Sequence, residues 1–406
     1  MTASRSQRTQ EFQQHWSEQV TQLRIPAVYM RGGTSKGVFF HQYDLPKDRS
    51  VRNAVLLRVI GSPDAYGKHI DGLGGATSST SKVALISKSS RADCDVDYYY
   101  GAVSIDKPAI DWSGNCGNLT SAVGPFAITE GLVEAPADGS AMVRIWQANL
   151  GQRIVAHVEM RNGAVAEDGL FELDGVAFPG SEVMLDFLNP GGDSGGTMFP
   201  TGKPIDAFEV PGVGKVEATL INAGNPTIFV EAHVLGLTGI EMQREVNADP
   251  ELLSRAEGIR AHAAVRMGLA ASAEEATCSR PHTPKLAFVS KPKDYFASNG
   301  KQVAAKDVDV VARIFSMGQL HHAMTGTGAV AIAAAAAVPG TLLSRLLGDK
   351  LHPSIRFGHP SGTLTVGAQA SHVGDSWMVN KATMSRSARR LMEGTVFVPA
   401  SITSNR

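Results

Sequence analysis

Ser113-Gly114-Asn115-Cys116-Gly117-Asn118-Leu119-Thr120 runs into an apolar stretch that ends near Val133. Met324-Thr325-Gly326-Thr327-Gly328-Ala329-Val330 runs into the alanine-rich stretch Ala331 to Val338. Each segment sets a small polar cluster at the start of a helix apolar enough to be buried. Where the first has Cys116, the second has Thr325. The pairing predicts two related halves that face one site, with a single thiol between them.

The same order recurs upstream of each segment. Gly33-Thr34-Ser35-Lys36-Gly37-Val38-Phe39-Phe40 is echoed by Gly224-Asn225-Pro226-Thr227-Ile228-Phe229-Val230, a polar turn placed directly before an apolar strand. Two matches in one order point to a duplicated fold. The Gly/Pro-rich stretch Asn189 to Gly196 is the expected connection between the halves. Most remaining segments are short and β-rich: Ala27 to Met30, Val38 to Phe40, Val83 to Ile86, Val96 to Tyr100, Met142 to Trp146 and Ile154 to Met160. Helical spacing marks Ser50 to Ile60, Asn118 to Ile128 (which contains Pro125) and Val311 to Met317.

A length of 406 residues favours two domains. A net charge of −1 provides no basic field for nucleic acid. Cys94, Cys116 and Cys278 are too far apart for a zinc knuckle. An odd, dispersed trio fits a reducing cytosol rather than a disulfide framework. Residues 1–22 lack the apolar core of a signal peptide. The longest strongly apolar run, Ala329 to Val338, is about half of a bilayer span. A soluble cytoplasmic protein is expected.

Cys116 lies between two Gly-Asn pairs at a helix start, where unpaired amides favour a thiolate. The ordinary alternative is a small buried residue in a tight turn. Lys82 ends the run Gly72-Leu73-Gly74-Gly75-Ala76-Thr77-Ser78-Ser79-Thr80-Ser81-Lys82, just before a strand. A lysine entering a strand is usually solvated. Here its neighbours Ser79, Thr80 and Ser81 are hydroxyls able to bind carboxylates. Such an amine is a base only if burial lowers its pKa.

The glycine-rich turns are not nucleotide sites. Gly72 to Thr77 lacks the third glycine of the dinucleotide fingerprint, and Gly32 to Gly37 lacks the P-loop ending. Both read as anion-binding turns, with Thr34, Ser35 and Lys36 as donors, or as plain hairpin connections. Asn115, Gly117 and Asn118 of the first device join the candidate substrate-binding set. So do Asn225 and the second device's Thr325, Gly326 and Thr327. Arg280-Pro281-His282-Thr283-Pro284-Lys285 and Arg356-Phe357-Gly358-His359-Pro360-Ser361-Gly362 each precede a strand. They offer Arg280, His359 and Ser361 to an acidic substrate, or are strand-entry turns. Adjacent His321 and His322 would point about 100° apart on a helix and make a poor metal pair. No metal site is expected.

Together these residues resemble the PrpF proteins. The likeness is carried by Arg31 to Phe40, Arg58 to Asp64, Gly74 to Lys82, Asp111 to Leu119, Asn222 to Thr227, Arg356 to Gly362 and Met384 to Arg389. It implies an α/β (α+β) fold of the diaminopimelate epimerase type. Two pseudo-symmetric halves would each curl a mixed or antiparallel sheet around a central helix, with the site in the cleft between them. Residues 1–24 would be a flexible extension, 25–188 the first half and 189–394 the second, with 395–399 free to return to the first half.

The resemblance also implies an activity: cofactor-independent cis–trans isomerisation of 2-methylaconitate in the 2-methylcitrate route of propionate breakdown, extending to aconitate. A 2-methylcitrate dehydratase would be its pathway partner and a homodimer its assembly. The family's catalytic lysine maps onto Lys82, and Cys116 matches the first of the two thiols of diaminopimelate epimerases. Thr325 holds the second position, and a hydroxyl is too weak an acid for two-thiol chemistry at neutral pH. Either Lys82 or Cys116 can then be the base that removes an allylic proton. Two alternatives stay open: a tautomerase of 4-oxalomesaconate or another unsaturated tricarboxylate, and a non-catalytic tricarboxylate-binding protein.

Overall fold

The structure is a computed structural model and describes residues 21–191, 197–374 and 376–403. The expected N-terminal extension lies outside the described residues up to residue 20, as do residues 192–196 of the expected connection. Strand β1 begins at Gln22, inside the segment expected to be loose.

The first half comprises β1 (Gln22–Gly32), β2 (Ser35–His41), β3 (Lys82–Lys88), β4 (Val96–Val103), β5 (Gly139–Gln147), β6 (Gln152–Arg161) and β7 (Glu182–Leu188), with helices α1 (Arg49–Ile60) and α2 (Gly117–Thr129). The second comprises β8 (Asp206–Val210), β9 (Gly214–Ala223), β10 (Asn225–Glu231), β11 (Lys285–Ser290), β12 (Val310–Ser316), β13 (Ser354–His359), β14 (Gly362–Val373) and β15 (Ser376–Pro399), with α3 (Pro250–Arg266) and α4 (Gly326–Ala336).

From β1 to β7 the neighbours pair antiparallel, parallel, antiparallel, parallel, antiparallel, antiparallel. From β9 through β15 the series is the same. Helix positions match too: α1 and α3 sit inside the first parallel connection of their halves, α2 and α4 inside the second. Every parallel pair requires a crossover, and these helices lie in those crossovers.

Strand β15 belongs to both halves. Its first part pairs with β14 and β7, and its last part with β1, from Gly32 opposite Ala388 to Gln22 opposite Pro399. Thr395 lies opposite Pro26. With β15 in place, the first half closes into a barrel around α2. Helix α4 is buried on all sides and α2 from Gly117 to Ala127, as their predominantly apolar and small residues require. The outer helix α1 is capped by Asp48, which accepts from Ser50 N and Val51 N, and it ends at Gly61 with φ 86°. Its Val55, Leu56, Val59 and Ile60 pack on Val38, Phe40, Val83 and Leu85 of the barrel's outer face.

Three segments differ from expectation. Val311 to Met317 is not helical: Val310–Ser316 is strand β12, buried along its whole length. A short apolar run has no readable period, and its β-branched residues suit a sheet covered on both faces. Helix α3 was absent from the expected set, although Asp249 caps it and Pro250 opens it. Arg356 to His359 is not an entry turn but part of β13, hairpinned to β14. No described helix is long and apolar enough to cross a membrane.

Candidate active site

The two central helices meet end to end. A Cβ built on Gly117 would lie 2.7 Å from the Gly326 carbonyl carbon, so this approach requires bare backbone. Two asparagines clasp the junction. Asn225 accepts from Asn115 N at 2.8 Å and donates to Asn115 O and Thr327 Oγ1, both at 3.0 Å. Asn118 Nδ2 donates to Thr34 Oγ1 at 3.0 Å and to Met324 O at 3.2 Å. Cys116 and Thr325 do the same structural work. Each is an N-cap: Cys116 Sγ accepts from Leu119 N at 3.5 Å, and Thr325 Oγ1 accepts from Gly328 N at 3.1 Å.

Lys82 opens β3, where alternate side chains face opposite ways. Ala84 and Ile86 face α2, while Val83 and Leu85 face α1. Lys82 shares the inner face and is only 5% exposed. Its Nζ lies 3.0 Å from Cys116 Sγ and 5.4 Å above the Tyr100 ring. An amine and a thiol at this distance can hand a proton to one another. The buried Tyr98 and Tyr100 hydroxyls are pushed well above the usual range by desolvation, and further by Cys116 nearby, so they stay protonated.

The same alternation removes Lys36 from this group. It sits on the outer face, 5.4 Å over the Tyr29 ring. Ser35 is buried, with a hydroxyl that has no partner among the described residues. The hydroxyl run braces its own loop: Ser79 and Thr80 bond Thr77 at 3.0 and 2.7 Å, and Ser81 bonds His69 Nδ1 at 3.2 Å.

On the second half, Arg280 donates to Thr283 Oγ1 and Leu269 O, both at 3.2 Å, and so braces the loop that meets Ser113. His359 is pushed down to about 3 by burial and stays neutral, with its Nδ1 accepting from Ser361 N at 3.2 Å. Ser361 Oγ donates to His322 O at 2.6 Å. Thr34 and Ser361, from opposite halves, flank Gly175: a Cβ there would lie 3.0 Å from Thr34 Cγ2 and 3.2 Å from Ser361 Cβ. His321 and His322 lie in a loop rather than a helix, and their rings stack at 4.6 Å. Among the described residues, no cluster of His, Cys, Asp or Glu is arranged to hold a metal.

Two site residues escaped the sequence reading. Lys285 opens β11 as Lys82 opens β3, so it is the second half's counterpart of that lysine. Its buried Nζ donates to His282 Nδ1 at 3.1 Å and to Ser316 Oγ at 2.9 Å. Burial, then the charge of Lys82, push it down to about 7. His282 is lowered well below its ordinary value by burial and by these two lysines. With Nδ1 accepting, its Nε2–H donates to Asn115 O at 3.3 Å. The duplication itself held this signal, because each half has a lysine immediately before the matching strand. The second missed residue is Arg386, whose Nε donates to Asn118 Oδ1 at 3.0 Å. It lies in Met384 to Arg389, a segment that carried the family resemblance without being assigned a role.

Known proteins resemble this chain over most of its length. A protein of Shewanella oneidensis named 2-methyl-aconitate isomerase is 59% identical over 93% of this chain and 98% of its own length. One of the same name from Cupriavidus necator is 58% identical over 94% and 98%. The crystal structure of a methylitaconate-delta-isomerase superposes with a TM-score of 0.74 at 39% identity, covering 94% of this chain and 97% of its own. The family model described as PrpF protein matches residues 22–399, and with those relatives it establishes that the chain belongs to the PrpF family.

Proposed function

We propose that this chain isomerises 2-methylaconitate between its cis and trans forms by allylic proton transfer, with Lys82 as the base. The observation that carries the reading is the buried contact of 3.0 Å between Lys82 Nζ and Cys116 Sγ, set where two helix N-termini meet. The Lys82 amine takes a proton from the carbon next to the double bond. The electron pair left behind delocalises through the former double bond into a carboxylate. Helix-start amides at Gly117 and Gly326 stabilise that charge. The former double bond is now single in character and rotates, and the Lys82 ammonium returns the proton. Cys116 exchanges a proton with the amine and keeps it oriented. Burial of the pair keeps water from the carbanion. Asn225, Asn118, Thr327 and Thr34 hold the halves in register around the substrate.

In this reading the protein works without a resident cofactor, in the cytoplasm, beside a dehydratase of propionate catabolism. The similarity to a methylitaconate-delta-isomerase supports a second reading, in which the proton returns to the other end of the allyl system. A substrate panel separates them. The purified chain should turn over 2-methylaconitate faster than methylitaconate or 4-oxalomesaconate, and Lys82→Ala should lose at least about 100-fold, the scale of a general base. Full activity of Lys82→Ala, or a preference for another panel member, contradicts the proposal.

A further inference from the structure

We propose that Arg386 is the anchor for one carboxylate of the substrate. Arg386 lies on β15 where that strand passes from the second half to the first, opposite Val183 of β7. The next residue, Ser387, accepts from Gly33 N at 2.9 Å, so the strand carries the turn that presents Thr34 and Ser35. The guanidinium is buried, with the residue 2% exposed. Nε is committed to Asn118 Oδ1 at 3.0 Å and Nη1 to Ser385 O at 2.9 Å. Nη2 has no acceptor among the described residues.

The other buried arginines differ. Arg260 pairs with Glu257. Arg313 lies over Tyr295, with Glu241 as a charge partner. Among the described residues, Arg386 has no carboxylate beside it. Desolvation lowers it only to about 10, so it remains a cation at neutral pH, and Cys116 is the group that opposes the shift. A buried cation without a counter-ion is costly, and a fold retains one where a ligand supplies the missing charge. The surroundings are shaped for close approach. A Cβ on Gly33 would lie 3.0 Å from Arg386 Cδ, and Gly33 has φ 50°. Ser35, two residues on from Gly33, has a buried hydroxyl without a partner among the described residues. A planar guanidinium edge with Nη2 open suits one carboxylate of a substrate whose reacting carbon lies at Lys82.

This inference rests on the polycarboxylate reading above but is tested without turnover. The probe is propane-1,2,3-tricarboxylate, which has no double bond to isomerise, titrated calorimetrically into the full chain. Arg386→Gln should weaken binding about 100-fold and Arg386→Lys about tenfold, because lysine keeps the charge but not the fork. Both variants give up the Nε and Nη1 hydrogen bonds, so they should lower the melting temperature of the ligand-free protein by similar amounts while their binding losses differ. Unchanged binding in Arg386→Gln overturns the proposal. So does an equal loss of binding in Arg386→Gln and Arg386→Lys, which marks a scaffold role in which the charge is not recognised. Absence of binding by the wild-type chain overturns it as well. If the wild-type chain binds the probe but does not isomerise 2-methylaconitate, the proposed function fails while the anchor stands.

Discussion

At the scale of single residues, the site is an amine, a thiol and two further cations held by neutral partners. Cys116 is both a cap and the neighbour of Lys82. Cys116→Ala should therefore cost about 1 kcal/mol in urea denaturation through the lost cap, as well as lowering activity. Lys285 makes a pH prediction. Its folded-state value of about 7 lies below the ordinary 10.5, so the unfolded chain holds the extra proton between those limits. The penalty for charging it is fully present below about pH 7 and fades as pH rises toward 10.5. Melting temperatures of wild type and Lys285→Met should thus differ most in favour of the variant at acid pH, and converge on going alkaline. A constant difference across that window would show that Lys285 does not titrate there. Lys82 and Cys116 were legible in the sequence, because a hydroxyl run and paired Gly-Asn steps mark them. Arg386 was not, since an arginine in a β-strand has no local pattern that distinguishes a buried anchor from a surface charge.

At the scale of elements, the decisive contact is between two helix N-termini. Gly117 and Gly326 touch backbone to backbone, so a methyl group at either position has nowhere to go. Gly117→Ala should destabilise by about 1–3 kcal/mol in urea titrations and abolish turnover, because the helices must part. An alanine variant with wild-type stability would show that the junction is loose. Both helices were readable as buried from their predominantly apolar and small residues, and Pro125 did not end α2, which runs on to Thr129. Strand β12 was misread because Val311 to Met317 has too few polar positions to show a period. Helix α3 was passed over although its cap and proline were present, because its apolar face is diluted by Arg255, Glu257 and Arg260.

At the scale of the whole molecule, two copies of one strand order share β15, and that strand links them. Truncation after Glu393 removes Thr395 to Pro399 and leaves the N-terminal part of β1 as an open edge. The shortened chain should aggregate on expression, as judged by the soluble fraction; a soluble, active product would mean that the barrel does not need this closure. The duplication was legible from two short matches, whereas the sharing of one long strand was not, because pairing across halves leaves no local mark. The central claim is that Lys82 removes a carbon-bound proton. It is tested most directly by running the wild-type reaction in deuterium oxide and locating label by NMR. An ammonium pre-equilibrated in that solvent carries deuterium at its other two positions, so the proton it returns is replaced in most turnovers. The account predicts deuterium at the allylic carbon of the product; isomerised product free of deuterium at that carbon would contradict it.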